Sequence, residues 1–157
     1  MTYKEIDRND VIAGLSEFFD IKELVCGHTY KKFGVNSWQF LDAYALAWLL
    51  LMRTEILNAP MFINGGSYSQ RGLRCNMCDI VKGKTATYLG GHVLGKAFDV
   101  TVKGMTAEEA RKKIKAFAND HPEKCPSPLR LEGGVSWLHF DVIPQWNVTQ
   151  LVYEFKA

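Results

Sequence analysis

The stretch Gly90-Gly91-His92-Val93-Leu94-Gly95-Lys96-Ala97-Phe98-Asp99, running on through Val100-Thr101-Val102, decides how this chain is read. It sets an imidazole and a carboxylate seven positions apart. Gly90, Gly91 and Gly95 let a loop reach His92 and turn back into a strand. From Ala97 onward apolar and polar residues alternate as in a half-buried strand, which points Asp99 away from Phe98 and Val100. Ser136-Trp137-Leu138-His139-Phe140-Asp141 reads as a second strand. There His139 shares a face with Trp137 and Asp141, while Leu138, Phe140 and Val142 take the other. Two imidazoles and one carboxylate, His92, Asp99 and His139, make a ligand set for one Zn²⁺ with water completing a tetrahedron. Ligand bonds of about 2.0–2.2 Å are expected.

Around these strands the chain has ordinary globular proportions. Its 157 residues suffice for one domain, expected to span 1–157 with a motif core at about 16–143. Apolar residues at 47% and charged residues at 23% exclude wholesale disorder. A net charge of +2 gives no case for nucleic acid and is compatible with an anionic wall polymer. The apolar run 43–52 is too short to span a bilayer, is flanked by Asp42 and Arg53, and reads as a buried helix. Met1-Thr2-Tyr3-Lys4-Glu5-Ile6-Asp7 is polar and charged, unlike a secretory signal peptide, so synthesis in a cytoplasm is expected.

Phenylalanines at 18 and 19 lie in a short helical stretch within 16–32. A longer helix is expected from Asn36, with Gln39 three residues on, to Leu57, where Asn58-Ala59-Pro60 stops it. Its apolar positions nearly encircle it around Trp48, as in a central buried helix. Residues 60–64 read as a first strand. A long loop at 65–91 follows, of the length that forms one wall of a functional cleft. Thr106-Ala107-Glu108-Glu109 opens another helix, with Arg111, Lys112, Lys113 and Lys115 expected to be solvated. Residues 129–132 and 136–143 form a hairpin across Gly133-Gly134, and 150–155 a last strand.

Cys26, Cys75, Cys78 and Cys125 suit a reducing compartment. Cys75-Asn76-Met77-Cys78 has the spacing of half a zinc knuckle, and Cys26, His28 or Cys125 could complete it. Loop thiols are the expected reading, since no second such pair exists. His28 and His121 are expected to be surface histidines.

The pattern resembles the zinc D-alanyl-D-alanine carboxypeptidase and L,D-endopeptidase family, which shares its fold with the Hedgehog signalling domain. The family's first motif, S-x-H-x-x-G-x-A-x-D, is matched from Gly90 to Asp99, with Gly90 in place of the serine. Trp137-Leu138-His139 is similar to its second motif, which ends in the third ligand. Residues 63–74 resemble the family's strand and loop before the metal site, where an arginine contacts substrate. By position that arginine is Arg71, with Arg74 as rival. The resemblance covers about 16–142 and is closest to compact phage and bacterial members. It implies an α+β fold of Hedgehog/DD-peptidase type, with an antiparallel sheet carrying the zinc site and helices on one face. It also implies hydrolysis of the peptide part of bacterial peptidoglycan, by trimming a terminal D-alanine or cutting within the stem peptide, as in a phage lysin. The implied partner is the peptidoglycan stem peptide, met after release from the cell or from a virion. Neither nucleic acid nor membrane insertion enters, and a monomer is expected.

Such a peptidase also needs a base and a group to hold substrate. Arg71 suits the second role, since a guanidinium grips a carboxylate through two parallel bonds. The family commonly has Asp or Glu three residues before the last histidine, and here that position is Ser136. Glu132 is the nearest carboxylate. With a four-residue turn at 133–136 it would lie opposite Trp137, diagonal to His139 and about 7–8 Å away; with a two-residue turn it would sit too far. Asp141 is the other candidate, either as base or as the partner that holds a histidine. Ser136 and Trp137 would border the metal. The alternative to an enzyme is a non-enzymatic zinc-binding virion or interaction domain derived from such a peptidase.

Overall fold

The computed structural model describes residues 3–157, so Met1 and Thr2, the start of the polar amino-terminal segment and of the 1–157 domain range, lie outside the described residues. The fold is α+β. Helices α1 (Arg8–Leu15), α2 (Gly27–Phe33) and α3 (Ala43–Leu51) precede strand β1 (Met61–Phe62). A long connection containing only the helical turn α4 (Asp79–Lys82) leads to β2 (Ala97–Val102). Helix α5 (Ala107–Asp120) and strands β3 (Leu129–Gly133), β4 (Leu138–Asp141) and β5 (Val152–Lys156) complete the chain. Among the described residues no helix is long and apolar enough to cross a membrane.

The sheet order is β1-β2-β4-β3-β5. Strand β4 is antiparallel to both of its neighbours, β2 and β3, but β5 runs parallel to β3, so the sheet is mixed rather than antiparallel. The cause is topological. One chain reversal follows β4, both slots beside β4 are taken, and the chain therefore lands beyond β3 in the direction of β3.

Strand alternation sends Phe98, Val100, Leu129, Leu131, Leu138 and Phe140 into one core with Trp48 and Leu49 of α3 and Ala110, Ile114 and Ala118 of α5. Burying each large side chain contributes about 1.5–3 kcal/mol. Trp48 is wholly buried, and its indole N–H donates to the Ser127 carbonyl and hydroxyl at 3.2 and 3.1 Å.

Several elements differ from the sequence reading. The central helix starts at Asp42, not Asn36: the Asp42 carboxylate accepts from the Tyr44 and Ala45 amides, and 34–40 is a 3-10 helix. The helix widens at Met52–Ile56 and ends by Leu57. Residues 16–25 hold only a 3-10 turn at Ile21–Glu23, while the regular helices lie on either side as α1 and α2. Arg111 is not solvated. It lies on the inner face of α5 and is 3% exposed.

Candidate metal centre

Strand β2 pairs with β4 so that Asp99 faces His139 directly. Residues opposed in this way point to the same side. His92 arrives from the turn before β2, and a close approach fixes that turn. Gly95 has φ +70°, and a Cβ on it would run into the Phe40 carbonyl, so only glycine fits. The Gly95 carbonyl in turn accepts from the Asp42 amide at 2.9 Å, which ties the turn to the start of α3.

The potential ligand atoms of His92, Asp99 and His139 lie within 4.8 Å of one another, and all three residues are buried. His92 Nε2 is 3.2 Å from Asp99 Oδ2, and His139 Nδ1 is 2.7 Å from Asp99 Oδ1. The outer nitrogens are held from behind. His92 Nδ1 lies 2.9 Å from the Gly72 carbonyl, and His139 Nε2 lies 3.0 Å from Asp141 Oδ2. Such partners fix the ring orientation and raise ligand basicity. Asp141 is itself gripped by Arg130 through two parallel bonds of 2.7 and 2.9 Å.

Burial opposes charge on Asp99, His139 and Asp141, and the pairing outweighs it. Hydrogen bonds to His139 and His92 hold the Asp99 carboxyl well below its usual range. His139 and Arg130 do the same for Asp141. Asp141 and Asp99 raise His139 to about 9 against the pull of burial. Two ionised carboxylates around one imidazole favour a cation, and a metal entering the set must displace the proton on His139. The donor set, two imidazoles and a carboxylate backed by polar partners, fits Zn²⁺.

A cleft of about 560 Å³ opens at Asp99, bordered by Tyr68, Arg71, Arg74, Thr101, Ser136 and Trp137. Arg71 stacks on the Tyr68 ring at 4.2 Å and donates to Thr101 Oγ1 at 2.9 Å. Its rival Arg74 lies closer to the ligands, with Nη2 3.3 Å from Asp99 Oδ2. Both guanidiniums thus border the cleft. Ser136 and Trp137 form its opposite rim and are exposed.

The β3–β4 register pairs Arg130 with Asp141 and Leu131 with Phe140. Continued by one residue it sets Glu132 beside His139, not beside Trp137. The connection is 134–137, one residue later than the four-residue turn considered from sequence. Asp99, His139, Glu132 and Phe155 therefore form a row across four adjacent strands. Glu132 is half-buried, one strand beyond the third ligand.

Arg111 is the site residue the sequence reading placed wrongly. Its guanidinium donates to the carbonyls of Glu132, Val135 and Trp137 at 3.2, 3.2 and 3.3 Å and pairs with Glu108. It thus clamps the end of β3 at Glu132 and the connection that forms the cleft rim. Its spacing from Ile114 and Ala118 puts it on the apolar stripe of the helix, a pattern present in the sequence but masked by the neighbouring lysines.

A second group could also hold a metal ion: Cys26, His28, Cys75 and Cys78. The two cysteines of the Cys-x-x-Cys pair are therefore not isolated loop thiols. His28, although exposed, turns its Nδ1 to within 3.7 and 3.9 Å of the Cys75 and Cys78 sulfurs. Cys125 lies elsewhere, its thiol donating to the His121 carbonyl, and His121 is exposed beside Glu123.

No protein-family model matches this chain, and no curated protein or solved structure matches it either.

Proposed function

We propose that this protein is a zinc-dependent peptidase acting on the peptide part of bacterial peptidoglycan. The observation that carries the reading is the convergence of His92 and His139 on Asp99, which itself lines a cleft bordered by Arg71 and Arg74. The resemblance of residues 90–99 and 137–139 to the D-alanyl-D-alanine carboxypeptidase and L,D-endopeptidase motifs supplies the substrate class. A zinc ion held by the three ligands would polarise the scissile carbonyl and acidify the attacking water.

In this reading the residues divide the remaining work. Glu132 accepts the proton of the attacking water and delivers it to the departing amine, a transfer that typically contributes about 10²–10⁴-fold. Arg71 grips the carboxylate of the stem peptide, with Arg74 beside it. Asp141 acts through His139, holding the ring so that Nδ1 faces the metal position. Trp137 offers an exposed ring at the rim against which the peptide can lie. Hydrolysis would take place at the cell wall, after release from the producing cell or from a virion.

The test is release of stem-peptide amines from purified peptidoglycan of several wall types, with metal analysis of the same sample. Zinc-dependent release supports the reading. A zinc-loaded protein that cuts no wall type would instead favour a non-enzymatic zinc domain. That second reading is favoured by one observation: Ser136 stands where the related enzymes commonly carry their carboxylate.

A further inference from the structure

Residues 71–78 run as a strap between the segment leading into α2 and the middle of β2, where the Asp99 amide donates to the Arg71 carbonyl. Leu73 forms a bridge with Val25, and a Cβ on Gly72 would run into the Leu24 carbonyl, so the strap and the 21–26 segment are in close backbone contact. At the far end of the strap, Cys75 Sγ and Cys78 Sγ are 4.0 Å apart. His28 Nδ1 lies 3.7 Å from the first and 3.9 Å from the second. Cys26 completes the group, and all four ligand atoms lie within 4.8 Å of one another.

These separations have a simple geometric counterpart. A tetrahedral zinc with bonds of about 2.3 Å to sulfur and about 2.0–2.1 Å to nitrogen spaces its ligands about 3.8 Å apart between sulfurs and about 3.6 Å between sulfur and nitrogen. The three distances among Cys75, Cys78 and His28 fall within a few tenths of an ångström of these edges, and Cys26 lies within 4.8 Å of each. A disulfide would bring two sulfurs to about 2.05 Å, and all four cysteines are free.

We infer that Cys26, His28, Cys75 and Cys78 form a second, structural zinc site that pins the 71–78 strap to the start of α2. Three thiolates and one imidazole suit zinc and not the hard cations that prefer oxygen. Four protein ligands close the coordination sphere and leave no place for water, which separates a structural site from a catalytic one. The strap carries the Gly72 carbonyl that faces His92 and the Arg74 guanidinium that meets Asp99. The inference shares no ligand with the first cluster and stands whether or not the protein is a peptidase.

Elemental analysis of the full chain, purified without chelator, should find two zinc ions per chain. The double variant His92→Ala/His139→Ala should keep one. Reconstituted with cobalt, that variant should show the near-ultraviolet absorption of thiolate-to-cobalt charge transfer. In the unmodified protein, Cys26, Cys75 and Cys78 should resist alkylation until a chelator is added, a readout that needs no variant to fold. Cobalt spectra without thiolate absorption, or thiols equally reactive with and without chelator, would overturn the inference. A single zinc lost on Cys75→Ser/Cys78→Ser but retained in the histidine variant would uphold it while removing the His92–Asp99–His139 reading.

Discussion

Glu132 stands one strand away from His139, on the same face of the sheet, near the end of β3. Glu132→Gln keeps the shape and removes the proton acceptor. We expect it to lose about 10²–10⁴-fold in stem-peptide hydrolysis while retaining its zinc. Ser136→Ala, at the exposed rim, should lose far less. Full activity in Glu132→Gln would remove the assignment. Asp141→Asn works on a different quantity. It weakens the support behind His139, and zinc affinity should drop about 10–100-fold in a competition titration. His139 also sets a pH dependence. It holds its proton up to about 9 in the fold and up to about 6.5 when unfolded. The chelated protein therefore has this stabilisation in full below pH 6.5 and loses it as pH rises toward 9. Denaturation of chelated protein across that window should show the decline, and His139→Gln should flatten it.

At the scale of elements, the connection after β3 depends on a helix far from it in sequence. Arg111 of α5 holds two of its carbonyls and that of Glu132 at the end of β3, so Arg111→Met should cost about 1–3 kcal/mol. It should also depress hydrolysis more than zinc content, since the metal ligands are untouched while the Glu132 backbone loses its clamp. A variant with unchanged denaturation midpoint would contradict this. The elements also separate what could be read in advance from what could not. Strand β2 was legible because alternation and the motif glycines agree over 97–102. Asn36 and Gln39 imitate a cap, although 34–40 is a 3-10 helix. The effective cap is Asp42, which Lys96 and the Gly95 carbonyl also engage from the motif turn, contacts absent from local sequence. The position of Glu132 turned on a one-residue choice of hairpin connection, which strand patterning alone leaves open.

Over the whole molecule, the first candidate ligand set was legible because its residues sit in two recognisable strands and in the glycine-flanked turn before the first. The second was not, because Cys26 and His28 lie about fifty residues from Cys75 and Cys78 and meet only through the folding of the 71–78 strap. The parallel β5 was hidden for a similar reason: its direction follows from which sheet positions are already filled. Two candidate metal sites on one small chain predict a large response to metal removal. Excess chelator should lower the melting temperature, and added zinc should restore it in proportion to the logarithm of its free concentration. A melting temperature indifferent to chelator would exclude both sites.

The facing of Asp99 and His139 across β2 and β4 joins residues forty positions apart. Helix α5 and strand β3 lie between them in the chain. Contacts so distant along the chain form slowly, after local turns and hairpins are in place. The His92–Asp99–His139 group is thus expected to assemble only once β2 has paired with β4. In a refolding experiment, zinc capture at that group should trail hairpin formation and keep time with the last cooperative phase, which makes the ion a reporter of when the chain has finished folding.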